Sequence, residues 1–181
     1  PLPGTECRVV DPENPTQDVP QGTAGELVVR GPQVFSGYYG KPEETEAAFV
    51  DGWYRTGDIV TIDEAGFVRI VDRIKELIIT GGFNVAPTEV ENALRQHPLV
   101  SDAAVVGLPS DHSGEEVVAA IVIDGGADVD VEAVREFARG ILTPYKVPRR
   151  IFVVDELPKS LIGKVLRRQV KEQLIALTGA K

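Results

Sequence analysis

The side chains best suited to chemistry in this 181-residue chain are the cations near its far end. Residues 158–168 read PKSLIGKVLRR, which gathers Lys159, Lys164, Arg167 and Arg168 into one short stretch. The formal charge is -8 over residues 1–72, -7 over 73–142 and +6 over 143–181. A basic end on an acidic protein points to an anionic ligand approached from that end, although a solvated helix face gives the same charge run. Nucleic acid fits poorly, because a surface with a net charge of -9 repels phosphate elsewhere and no aromatic platform accompanies the basic stretch. The other reactive residue types are sparse. His97 and His112 share no spacing with a nucleophile, and no Ser-His-Asp arrangement is visible. Cys7 stands alone, so it forms no internal disulfide and has no companion at metal-ligand spacing, and no metal site is expected. Asp58, taken by itself, reads as a turn acid.

Positioning such groups takes a folded scaffold, which the composition permits. At 43% hydrophobic and 26% charged residues the chain is an ordinary globular one, sized for one domain or two small ones. At this length about 70% of the unfolded surface can be buried without a staple. No apolar run approaches the ~20 residues of a membrane span, and the opening PLPGTEC lacks the basic and apolar regions of a signal peptide. With a single cysteine, a reducing, cytoplasmic setting is expected. The same opening, without a methionine, reads as an internal cut in a longer protein.

Strands are expected at CRVV, ELVVRG and VFSGYY, where β-branched residues alternate with Gly and Pro punctuation. A proline-led helix spans 42–49, and a hairpin pairs 59–62 with 67–71. After Asp72 the pattern becomes an alternation of helix and strand: strands at 76–80 and 83–85, a helix at 88–96, paired strands at 100–108 and 117–123. An amphipathic helix at 131–142 turns Val131, Val134, Ala138, Ile141 and Leu142 inward, and a strand at 151–154 and a helix at 165–177 complete the chain. The class is α+β, a small sheet with helices on it in two layers.

Four phrases in fixed order give these elements a meaning: GELVVRGPQVFSGYY with KPEET, GWYRTGD, DRIKELIITGGFNVAPTEVE and PKSLIGKVLRR. Together they resemble the adenylate-forming superfamily, which includes acyl-CoA synthetases, luciferase-like enzymes and peptide synthetase adenylation domains, and the resemblance covers essentially the whole chain. It implies a β-rich closing segment of the large ATP-binding domain at 1–71, a hinge at 72–75 and a mobile lid domain at 76–181 with a mixed or antiparallel sheet packed by helices. By resemblance, Asp58 accepts hydrogen bonds from the two ribose hydroxyls of ATP, a task that suits a two-oxygen carboxylate, and Arg73 contacts the ribose. Asp72 and Lys75 bound the hinge. Gly81, Gly82 and Phe83 line the pantetheine tunnel, beside Thr80 where many relatives carry lysine. Lys164 matches the lysine that bridges the carboxylate substrate and the α-phosphate, a place for a compact ammonium between two anions. Lys159, Arg167 and Arg168 accompany it toward phosphate or CoA.

The activity so implied is an AMP-forming acid–thiol ligase: carboxylate and ATP give an acyl-adenylate and pyrophosphate, and CoA then takes the acyl group. The phrasing is most similar to fatty or aryl acyl-CoA ligases. ATP with Mg2+, CoA and a carboxylic acid are the expected small-molecule partners. The phosphate loop and the Mg2+ ligands belong to an upstream part of the parent, so the chain alone is expected not to catalyse adenylation. Two other readings stay open: an adenylation domain that loads a carrier protein, and a non-catalytic α+β binding or regulatory module, which would have no reason to keep both Lys164 and Asp58.

Overall fold

The computed structural model describes residues 2–126 and 129–178. The chain folds as two compact units, Pro1–Lys75 and Glu76–Lys181.

In the first unit β1 (Glu6–Val10) and β2 (Gly25–Arg30) pair antiparallel. Helix α1 (Pro42–Ala47) follows, with proline in its first turn and Glu43 and Glu44 near the positive end of its dipole. Then come β3 (Phe49–Val50), β4 (Trp53–Ile62) and β5 (Val68–Arg73). The sheet runs β1-β2-β4-β3, with β5 also on β4. Its core is small, Val10, Val28 and Trp53 with Val50 against them. The Arg8 and Arg30 guanidiniums lie 5.2 and 4.5 Å from the Trp53 ring centre, where the π face attracts cations. The apolar run VFSGYY makes no strand. Its rings instead collect on β3 and β4, Phe35 lying 5.0 Å from Tyr54 and 5.8 Å from Phe49, and Phe49 sits on β3 rather than at the end of α1.

In the second unit β6 (Ile78–Thr80) and β7 (Phe83–Val85) form a tight hairpin ahead of α2 (Pro87–Leu94). Strands β8 (Val100–Ser110) and β9 (Gly114–Ile123) pair antiparallel along their length. Helix α3 (Val131–Arg139) begins at Asp130, whose carboxylate accepts the Glu132 N–H at 2.9 Å. Strand β10 (Arg150–Val153) lies parallel to β9, and α4 (Arg167–Thr178) closes the described residues. The architecture is α+β, but helices cover both faces of this sheet. Ala103, Val105, Ala119 and Ile121 face α2 and α3, while Ala104, Val106, Val118 and Ala120 face Val170 and Leu174 of α4. The third layer explains why β8 and β9 are apolar continuously rather than alternately, as strands buried on both faces are. Each fully buried Val, Leu or Ile contributes about 1.5–3 kcal/mol. Ile141, expected inward, is exposed, because α3 ends at Arg139 before the helical period reaches it.

Candidate functional site

Asp58 stands in the middle of β4, opposite Arg73 of β5 in the antiparallel register. That pairing puts the Arg73 Nε 2.9 Å from Asp58 Oδ1. Thr56 sets the local backbone: its hydroxyl donates to Leu27 O at 2.8 Å and accepts the Asp58 N–H at 3.1 Å. Beneath it Glu26 is 1% exposed. Its Oε2 takes Nε and Nη2 of Arg55 at 2.9 and 2.6 Å, and its Oε1 accepts the Gly57 N–H at 3.3 Å. Glu26 belongs to the first phrase and Arg55 to the second, so one ion pair joins them beside the stretch of β4 that carries Asp58. Nearby, the Tyr54 phenol is held above its usual pKa by its hydrogen bond with Tyr38, then by burial and the negative charge of Asp58. Asp72 is 6% exposed on β5, its Oδ1 accepting the Arg73 N–H at 2.8 Å. Lys75 lies beyond the strand in a 3-10 turn, Ile74–Glu76.

In the second unit, Gly81 and Gly82 make the β6–β7 turn at φ of 57° and 81°. Side chains avoid this left-handed region, and the space where a Cβ would sit is open at both positions. Thr80 points into the core at 7% exposure. Phe83 is exposed and stacks on Tyr145, ring centres 4.5 Å apart and planes at 20°.

Lys164 is carried by a short hairpin. Lys159 bridges Val165, the Leu166 N–H donates to Pro158 O at 2.8 Å and the Ser160 N–H to Lys164 O at 2.8 Å. The turn closes through the Gly163 N–H to Ser160 O at 2.9 Å. Gly163 holds φ at 79°, the left-handed bulge position that lets two strands meet over a short turn. Leu161 and Ile162 at the tip stand fully in solvent. Among the described residues the Lys164 ammonium has no ion pair. Its basic neighbours do: Lys159 Nζ lies 2.7 Å from Asp102 Oδ2, Arg168 is 3.0 Å from Glu172, and Arg167 is bound to Glu76 and Glu91. Burial would raise the Asp102 carboxyl, but the hydrogen bonds from Lys159 and the Ala103 N–H and the charges of Lys159 and Arg95 hold it below its usual range.

The structure thus separates cations that the sequence grouped together. Arg167 and Lys159 are bound to carboxylates at the hairpin's base, whereas Lys164 and Arg168 are exposed, and of these two Arg168 is paired with Glu172. The ion pairs Glu26–Arg55, Lys159–Asp102 and Arg167–Glu91, and the Tyr145 ring on Phe83, were not foreseen, since each joins residues from separate elements. Among the described residues there is no group of three or more His, Cys, Asp or Glu side chains that could hold a metal, and no helix is long and apolar enough to cross a membrane.

The AMP-binding enzyme family profile matches residues 1–39, and the AMP-binding enzyme C-terminal domain profile matches residues 89–164, ending on Lys164. The chain belongs to the AMP-binding, adenylate-forming enzyme family and represents its carboxyl-terminal region. It is similar to the long-chain-fatty-acid–CoA ligases of Escherichia coli (46% identical over 173 residues) and Bacillus subtilis (44% over 173), each comparison taking in 96% of this chain. It spans 30% and 31% of those relatives' lengths. Among solved structures it is similar to ATP-bound MatB from Rhodopseudomonas palustris, with a TM-score of 0.87 and 41% identity over 97% of this chain and 35% of that one.

Proposed function

We propose that this chain is the carboxyl-terminal segment of an AMP-forming acyl-CoA ligase whose acid is a long-chain fatty acid. The observation that carries the reading is the Lys164 ammonium, which has no ion pair among the described residues while its basic neighbours on the same hairpin and helix start are bound to carboxylates. The names of the fatty-acid–CoA ligase relatives support the substrate class.

In this reading Asp58 accepts hydrogen bonds from both hydroxyls of the nucleotide ribose, and Arg73, already against Asp58, lies on the same nucleotide. Lys164 sits between the acid's carboxylate and the α-phosphate, offsetting their repulsion as the acid oxygen attacks phosphorus and pyrophosphate leaves. Lys164 must then withdraw before the CoA thiol can reach the acyl carbon and displace AMP. That exchange needs a pivot. We assign residues 1–71 to the large nucleotide-binding domain, 76–181 to the lid and the pivot to 72–75. Within it Asp72 is fixed by its strand, so the dihedral change falls on Ile74 and Lys75. Gly81, Gly82 and Phe83 line the passage for the pantetheine arm, the open space over both glycines leaving room for a thin ligand. The Mg2+ that accompanies ATP has no ligand cluster among the described residues, and we place its ligands, with the acid pocket, in the remainder of the parent. A cytoplasmic setting follows from these substrates.

The test uses the full-length parent with ATP, Mg2+, a long-chain fatty acid and CoA. Formation of AMP, pyrophosphate and acyl-CoA in equal amounts supports the reading, and ADP formation or no CoA dependence overturns it. A carrier domain's phosphopantetheine in place of CoA separates the ligase from a carrier-loading enzyme. The 181-residue chain alone is expected to give no pyrophosphate exchange above a Lys164→Ala control.

A further inference from the structure

We propose that Arg167 is the positioning residue of the Lys164 hairpin, holding its base in register for adenylation through Glu91, Thr88 and Glu76. The inference rests on the reading of Lys164 given above.

Arg167 is the first residue of α4 and follows Lys164 by three positions. A guanidinium at the positive end of a helix dipole is poorly placed unless anions compensate it. The compensation is dense. The Arg167 Nε donates to Glu91 Oε1 at 2.9 Å and Nη2 to Glu91 Oε2 at 2.8 Å, a two-pronged grip. Nη2 also donates to Thr88 Oγ1 at 2.8 Å, and Nη1 to the Glu76 carboxylate. Glu91 is itself fixed: it is 6% exposed, and its Oε1 accepts the Val105 N–H of β8 at 3.0 Å. One side chain therefore ties the start of α4 to α2, to the central sheet and to Glu76 at the start of the same unit.

The route from this anchor to the ammonium is short. Leu166 closes the hairpin on Pro158, and Val165 bridges Lys159, whose ammonium grips Asp102 on the other leg. With both legs tied, the turn Ser160–Gly163 presents Lys164 at a fixed height. Releasing Arg167 frees one leg, and the carbon stem of Lys164 then samples positions around the one that adenylation needs. A misplacement of about 1 Å costs on the order of a hundredfold in rate. The thioester step makes no use of Lys164 and should be insensitive to it.

The test compares Arg167→Met, Arg167→Lys and Lys164→Ala in the full-length parent, each measured for adenylation by pyrophosphate release and for thioester formation from supplied acyl-adenylate and CoA. Arg167→Met is expected to lower the adenylation kcat by about ten- to a hundredfold and to leave thioester formation within about twofold of the parent. Arg167→Lys keeps a charge but not the fork, and falls between the two. If the Met enzyme does not fold, the Lys enzyme carries the same comparison. Loss of both half-reactions in equal proportion, or a folded variant with undiminished adenylation beside a slow Lys164→Ala enzyme, overturns the inference alone. Full adenylation by Lys164→Ala overturns the reading of the site and this inference with it.

Discussion

Glu26 and Arg55 form an ion pair beside the Asp58 stretch of β4, with Glu26 1% exposed and its Oε2 2.6 Å from Arg55 Nη2. Removing one member strands the other in a low-dielectric setting. Arg55→Ala is therefore expected to destabilise the chain by about 3 kcal/mol, the lower end for a broken buried pair because Arg55 itself is partly exposed. Urea unfolding measures this, and a change within the scatter of surface substitutions would show that Glu26 is satisfied without its partner.

Gly163 holds the hairpin turn at φ 79° with open space around it. The cost of a side chain there is conformational rather than steric. Gly163→Ala should lower stability by about 1 kcal/mol, and trypsin should cleave after Lys164 faster than in the parent chain. Equal cleavage rates would mean the turn tolerates the substitution without opening.

The Lys159–Asp102 pair gives a pH signature. The folded-state pKa of Asp102 is depressed, so its contribution is complete above the unfolded value of about 3.9 and disappears as the pH falls through the folded value. Asp102→Asn should thus be less stable than the parent at pH 7 by up to about 1 kcal/mol, as for a partly exposed pair. The gap should close as the pH drops below about 4. Denaturant titrations at several pH values check this, and a gap independent of pH would assign the loss to packing.

These pairs mark where sequence reading stopped. The helices and strands followed from apolar periodicity, and β8 with β9 was expected as a pair because both runs are β-branched. The third layer was not foreseen, since a continuous apolar run does not say which side a later helix covers. Lys164, Asp58 and the two glycines at 81 and 82 stood out through their phrases. Glu91, Asp102 and Tyr145 did not, because their meaning lies in partners 76, 57 and 62 positions away, Arg167, Lys159 and Phe83. The PKSLIGKVLRR phrase and its charge group Arg167 with the ligand-facing cations, and neither reveals which way a guanidinium turns.

Leu174 is 1% exposed where α4 covers the sheet. Leu174→Ala should cost about 2–5 kcal/mol, seen as an earlier denaturation midpoint with an unchanged slope. A smaller loss would mean that the face repacks around the cavity.

The central claim is that one ammonium, Lys164, is delivered to the acid and the α-phosphate during adenylation. The direct measurement is fatty-acid-dependent pyrophosphate exchange by the full-length parent and by its Lys164→Ala variant, alongside thioester formation from supplied acyl-adenylate. The account predicts a loss of at least about a hundredfold in exchange, the scale of deleting one preorganised electrostatic group, with the thioester step retained. Undiminished exchange by a folded Lys164→Ala enzyme would contradict it.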